Sequence, residues 1–198
     1  MLPVDERQRE LNYAHNKAQE FPAGSLDANG LIIGQSALDN FHINNVGVDY
    51  GGCGAIALYN AVKILNPDTK LTFADAIYHM EDYGIMGNTF GAFPMGVSHC
   101  LNQLGYDTEY VLLDSKKIGE AAAESDAAIV LYATTTNVHY VAFTTTGEQT
   151  ESEPPQPTFN FYNETGDVED IRTYEAFTDG LTDGSRTEIA QIGIIVHK

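Results

Sequence analysis

"DYGGCGAIALYNAVKIL" (residues 49–65) decides how this chain is read. From Cys53 to Leu65 the segment is apolar nearly all round: Ile56, Ala57, Leu58, Ala61, Val62 and Leu65, broken mainly by Asn60. Such a helix is central and buried rather than amphipathic, and Asn66-Pro67 ends it. Gly51, Gly52 and Gly54 surround Cys53 at its start. A thiol at a helix N-terminus meets free N–H groups and the positive end of the helix dipole. That placement predicts a lowered pKa and a nucleophilic sulfur. The glycines would then clear the approach of a substrate carbonyl, and the Cys53 N–H would help hold an oxyanion. The alternative is plain: cysteine is often buried, and here it can simply fill space.

Working towards the N-terminus, residues 22–50 carry many turn formers (Pro22, Gly24, Asn29, Gly30, Gly34, Asn40) around a short apolar LII. They read as irregular, with at most a short strand. Residues 5–20 suit a polar helix with Leu11, Ala14, Ala18 and Phe21 on one side.

Towards the C-terminus, TFADAIYHMEDYG (72–84) places Phe73, Ala76, Ile77 and Met80 at helical spacing, with Gly84 past the end. The Gly-rich stretch IMGNTFGAF (85–93) lacks the lysine and spacing of a P-loop. Pro94 sits at the first turn of PMGVSHCLNQLGY (94–106), with Val97, Leu101 and Leu104 as its stripe and Gly105 as its cap. Cys100 lies beside that stripe and reads as core. Ser115 caps a short helix, KKIGEAAAE.

The period then changes. AAIVLYA (127–133), VHYVAFTT (138–145), TFNFYN (158–163) and EIAQIGIIVH (188–197) are β-branched and aromatic runs. Between the second and third, TGEQTESEPPQPT (146–158) is acidic and Pro-rich, and reads as a mobile, exposed hairpin loop. Helices first and strands second is an α+β order. One domain over 1–198 is expected: an N-terminal extension (1–44), a helical half (45–114) and a mainly strand half (115–198).

Ten basic against twenty-eight acidic residues give a formal charge of −18. Such a surface repels nucleic acid and anionic membranes and would draw a basic peptide or protein, although acid also serves solubility alone. The opening MLPVDERQRELNYAH lacks the apolar core of a signal peptide, and no stretch approaches a membrane span. The chain reads as soluble, either cytoplasmic or secreted after removal of a signal. Two cysteines form no metal-ligand pattern, and a disulfide between Cys53 and Cys100 stays open. No cofactor or metal site is indicated, because His79 with Glu81 and Asp82 lacks ligand spacing.

A nucleophilic thiol needs a base, and the base needs an orienting group. His15, His79 and His99 fall on helix faces, His42 in the loop before Cys53, and His197 at the C-terminus. His139 begins a strand after the polar TTTN, where a stiff support can present an imidazole into a cleft. Asn163 closes the next strand, and its carboxamide can fix the tautomer of a neighbouring imidazole; Asn160 is the alternative. Singly, each also reads as an ordinary half-buried strand histidine or a common turn residue.

Together these segments carry a resemblance. GGCGAIALYNAV resembles the nucleophile helix of papain-like cysteine peptidases, especially the C39-like group; NVHYVAF resembles its histidine strand and FNFYNETG its Asn/Asp strand end. GVSHCLNQLGYDTEYV and AAIVLYA fit the same order, over about residues 45–165. The resemblance implies a papain-like fold, with a cleft between a helical part and an antiparallel sheet. It implies acyl transfer through a thioester: Cys53 attacks, His139 carries the proton and Asn163 orients it. One position departs. The family's oxyanion-hole Gln, about six residues before the cysteine, is Gly47 here, leaving Asn45 or Asn44 as substitutes. The expected function is a cysteine peptidase or amide hydrolase acting on a peptide or protein. The alternatives are a silent binding module for a basic peptide, which the missing Gln favours, and an acyltransferase.

Overall fold

The helix Cys53–Leu65 is where the fold is centred, and its burial shows why. The structure, a computed structural model, describes residues 4–83, 91–133, 138–163, 171–181 and 190–198. Ten of that helix's 13 residues are buried, so it contacts protein on all sides, as an all-round apolar helix must. Its one fully buried carboxamide, Asn60, accepts from Ile32 N and donates to Ile32 O, both at 2.8 Å. The side chain thus substitutes for a strand partner, and the LII segment forms only an isolated bridge, Leu26 to Ile32.

In chain order the elements begin with α1 (Glu6–Asn16), the two-residue strands β1 (His42–Ile43) and β2 (Val46–Gly47), and a single turn α2 (Val48–Gly51). Next come α3 (Cys53–Leu65), α4 (Phe73–Tyr83), α5 (Pro94–Gln103) and β3 (Asp107–Leu112). They are followed by α6 (Ser115–Ala123), β4 (Ala127–Ala133), β5 (Val138–Gln149), β6 (Pro157–Tyr162), β7 (Ile171–Thr173), α7 (Tyr174–Gly180) and β8 (Ala190–His197). The α+β class expected from the sequence is the class observed. Local chemistry explains the helix starts. Asp5 caps α1. Thr72 and Asp75 cap α4 reciprocally, Asp75 N donating to Thr72 Oγ1 and Thr72 N to Asp75 Oδ2. At α6 the cap is Asp114 rather than Ser115: Asp114 accepts from Lys117 N, and Ser115 is the first helical residue.

Six strands form one antiparallel sheet in the order β3-β8-β4-β5-β6-β7. Both faces are covered, so β4 and β5 are apolar at successive positions instead of alternating with polar ones. Ala127, Ile129, Tyr140, Ala142, Ile194 and Val196 join the core around α3. Ala128, Val130, Tyr132, Val141, Phe143 and Ile195 join a second core with Ile118 of α6 and Phe177 of α7.

Several expectations change here. The segment 146–149 is not loop but the end of β5, and Gln149 pairs with Pro157. β3, β7 and α7 were not foreseen. β3 is an edge strand whose Asp107 and Glu109 are exposed, so it lacks an apolar signature. The turn TTTN, the cap Gly84 and most of the stretch 85–93 lie outside the described residues.

Candidate active site

Three glycines and a cysteine join α2 to α3. A Cβ on Gly52 would stand 2.4 Å from Val48 Cγ1 and 2.7 Å from Val48 O. One on Gly54 would stand 2.5 Å from the Ala92 Cβ, and one on Gly51 3.2 Å from Val46 Cγ2. These glycines admit neighbouring protein close to the main chain. At Gly54 the missing side chain lets Ala92 cross the start of α3, where Tyr140 Oη donates to Ala92 O at 2.8 Å.

Cys53 itself is half-buried and free, as is the buried Cys100; no disulfide joins them. The main chains of Tyr140, Gly54 and Cys53 act on its sulfur in the direction that favours the thiolate. Removal from water works the other way and is the larger effect, so the Cys53 pKa is raised above its usual value. The lowering predicted from helix position alone is overturned: the N-terminal field is present, but burial outweighs it.

Tyr140 is the residue after His139, so the main chain that acts on the sulfur adjoins the histidine. Strand alternation separates their side chains: Tyr140 faces α3, while His139 shares its face with Val141 and lies edge-on to Tyr132, ring centroids 5.9 Å apart. Among the described residues no hydrogen bond joins the Cys53 sulfur to the His139 ring; the link runs through the Tyr140 main chain.

His139 Nε2 lies 2.6 Å from the backbone oxygen of Asn163. A carbonyl only accepts, so Nε2 carries the proton and Nδ1 the lone pair. Burial pushes the His139 pKa down, the Asn163 bond offsetting part of this, and the imidazole is neutral at pH 7. The orienting group is thus the main chain of Asn163, where the sequence reading had its side chain. Asn163 is buried with φ 65°, in the left-handed region, which asparagine tolerates better than most residues.

The Asn163 carboxamide goes to a residue that the sequence reading did not single out. Asn163 Nδ2 donates to Gln35 Oε1 at 3.0 Å, and Gln35 N donates to Asn163 Oδ1 at 3.1 Å. Gln35 Nε2 in turn donates to Val48 O and Asp49 O, both at 3.1 Å. Gln35 lies among turn formers, 128 positions from its partner, and nothing local in the sequence marks it.

Asn44 and Asn45 form the β1–β2 turn. The Asn44 main chain is bonded to α1 and α4: its N donates to Glu81 Oε1 at 2.7 Å, and its O accepts from Asn12 Nδ2 at 2.9 Å. Asn45 is exposed and donates to Asn44 Oδ1 at 3.1 Å. Among the described residues no cluster of His, Cys, Asp and Glu could hold a metal ion, and no helix is long and apolar enough to cross a membrane. Compared with protein-family models and with curated proteins, the chain matches none.

Proposed function

We propose that the protein is a cysteine peptidase or amide hydrolase of papain-like type, working through a thioester on Cys53. The observation that carries this reading is a buried histidine whose tautomer is set by Asn163 O, adjacent in the chain to Tyr140, whose main chain favours the charged form of the Cys53 sulfur.

The two pKa directions specify how such a site works. Thiol raised and imidazole lowered means a neutral pair at rest, not a thiolate–imidazolium pair. Attack on the carbonyl carbon is then coupled to proton transfer from sulfur to His139 Nδ1, which requires the imidazole to swing from the face it shares with Val141 towards the sulfur when substrate binds. The developing imidazolium is stabilised by its Nε2–H bond to Asn163 O. The Cys53 N–H serves the oxyanion. His139 then returns the proton to the leaving amine, and water resolves the thioester. The acidic surface favours a basic peptide or protein substrate.

Incubation with a basic peptide aldehyde or acyl fluoromethyl ketone, followed by intact-mass analysis, tests the reading. A covalent adduct on Cys53, lost in Cys53→Ala and strongly reduced in His139→Ala, is expected. Cys53→Ala should also lower peptide turnover by about 10⁴-fold or more. No adduct, and turnover unchanged by Cys53→Ala, would sink it.

One observation favours a second reading, a silent binding module for a basic peptide. The carboxamides available as oxyanion donors are engaged elsewhere, Gln35 Nε2 on two carbonyls and Asn45 on Asn44. Binding of the peptide with unchanged affinity by Cys53→Ala, without any turnover by the native chain, would select it. An acyltransferase would instead show amine-dependent release of the acyl group.

A further inference from the structure

We propose that Gln35 is a positioning residue that holds His139 in its working tautomer by acting through Asn163. This rests on the reading of His139 as the base of a Cys53 site. The side chain of Gln35 does three things at once. Its Oε1 accepts from Asn163 Nδ2, and its Nε2 uses both protons on Val48 O and Asp49 O, in the turn that leads into Cys53. Its own main-chain N–H adds a fourth bond, to Asn163 Oδ1.

The geometry gives this bridge its consequence. Asn163 is the point where β6 ends and the backbone turns left-handed. Its carbonyl must face inward to meet Nε2, while β5–β6 pairing runs no further than Ala142 with Tyr162. The sheet ladder therefore does not fix that carbonyl. What fixes it, among the described residues, is the pair of carboxamide bonds to Gln35. Because Gln35 is also tied to Val48 and Asp49, one side chain sets both the carbonyl behind the base and the segment before the nucleophile. A shift of the turn would let Nε2 lose its acceptor, and the proton could then sit on Nδ1, the wrong nitrogen for taking a proton from sulfur.

The test uses the full-length chain labelled with ¹⁵N-histidine. Gln35→Met keeps the side-chain length and removes its hydrogen bonds. Asn163→Gly keeps the left-handed turn and the carbonyl and removes the other half of the bridge. Long-range ¹⁵N–¹H correlation reads the His139 tautomer directly, without substrate. The native chain is expected to show Nε2–H only, and both variants a mixture with Nδ1–H. In turnover, each should lose roughly 10–100-fold in kcat with little change in KM, and the double variant should lose no more than either single one. A native-like tautomer in both variants, or losses that multiply in the double variant, overturns the proposal. A tautomer that responds in a chain without turnover leaves the positioning role standing and removes the hydrolase reading instead.

Discussion

The two cysteines sit near the starts and ends of neighbouring helices, and their surroundings prepare them for opposite states. Cys100, near the end of α5, donates its S–H to the His79 carbonyl at 3.3 Å, and burial pushes its pKa up to about 12. A carbonyl accepts only from the protonated thiol, so every contact there opposes the anion. Cys53 is also raised by burial, but the main chains of Tyr140, Gly54 and Cys53 pull the other way. Burial alone does not distinguish the two thiols. The polarity of the groups around each sulfur does, because donors stabilise a thiolate and a carbonyl does not.

The sharpest way to break this contrast is competitive alkylation. In the native protein at pH 7.5, iodoacetamide should modify Cys53 at least about 100-fold faster than Cys100, which should react only on unfolding. The Cys53 rate should keep rising with pH beyond the range of a free thiol, since its pKa is raised. Equal rates for the two would erase the distinction.

The same two neighbourhoods should respond to pH in opposite senses. Glu81, on α4 beside Cys100's partner His79, is buried. It accepts from Asn12 and from Asn44 N, faces Arg9, and burial pushes its pKa from 4.5 up to about 7. The folded chain therefore keeps a proton that the unfolded chain releases near 4.5. Its contribution to stability is complete below that pH and fades as pH rises to about 7. Glu81→Gln should remove this slope and stabilise the protein by about 1–3 kcal/mol at pH 8, measured against urea. His139 has the contrary sign: its pKa is lowered, so the unfolded chain takes up a proton first, and stability is lost as pH falls below about 6.5. A Glu81→Gln variant with an unchanged pH slope would show that the Glu81 environment is not what the geometry indicates. The smallest effect belongs to Cys100→Ala, about 1 kcal/mol of stability from a small cavity, with peptide turnover unchanged; a loss of turnover there would mean that the two thiols are not independent.

What was legible in the sequence follows the range of the interactions involved. Helices α3, α4 and α5, and strands β4, β5, β6 and β8, carry their own period, caps and breakers within a dozen residues. β3 does not: its partner β8 lies far along the chain, and its exposed residues mix Asp107 and Glu109 with Tyr110 and Leu112, which leaves no clean alternation. For the site, the segments bearing Cys53, His139 and Asn163 could be picked out by chemistry and position. The role of Asn163 could not, because whether a side chain or a carbonyl meets the imidazole depends on a single left-handed backbone turn. Gln35 was invisible because its meaning comes wholly from a partner 128 positions away. The Cys53 pKa came out reversed because helix position is local information and burial is not.

One consequence lies in the ladder beside Tyr140. Where β6 stops short, Tyr140 is left facing the start of α3, and its main chain acts on the Cys53 sulfur there. Cys53 is thereby tied to the register of the sheet. Sliding β5 by one residue would turn the Tyr140 ring to the opposite face of the sheet and remove its bond to Ala92 O beside the start of α3. Alignment of the strands and the surroundings of the thiol are thus one and the same property.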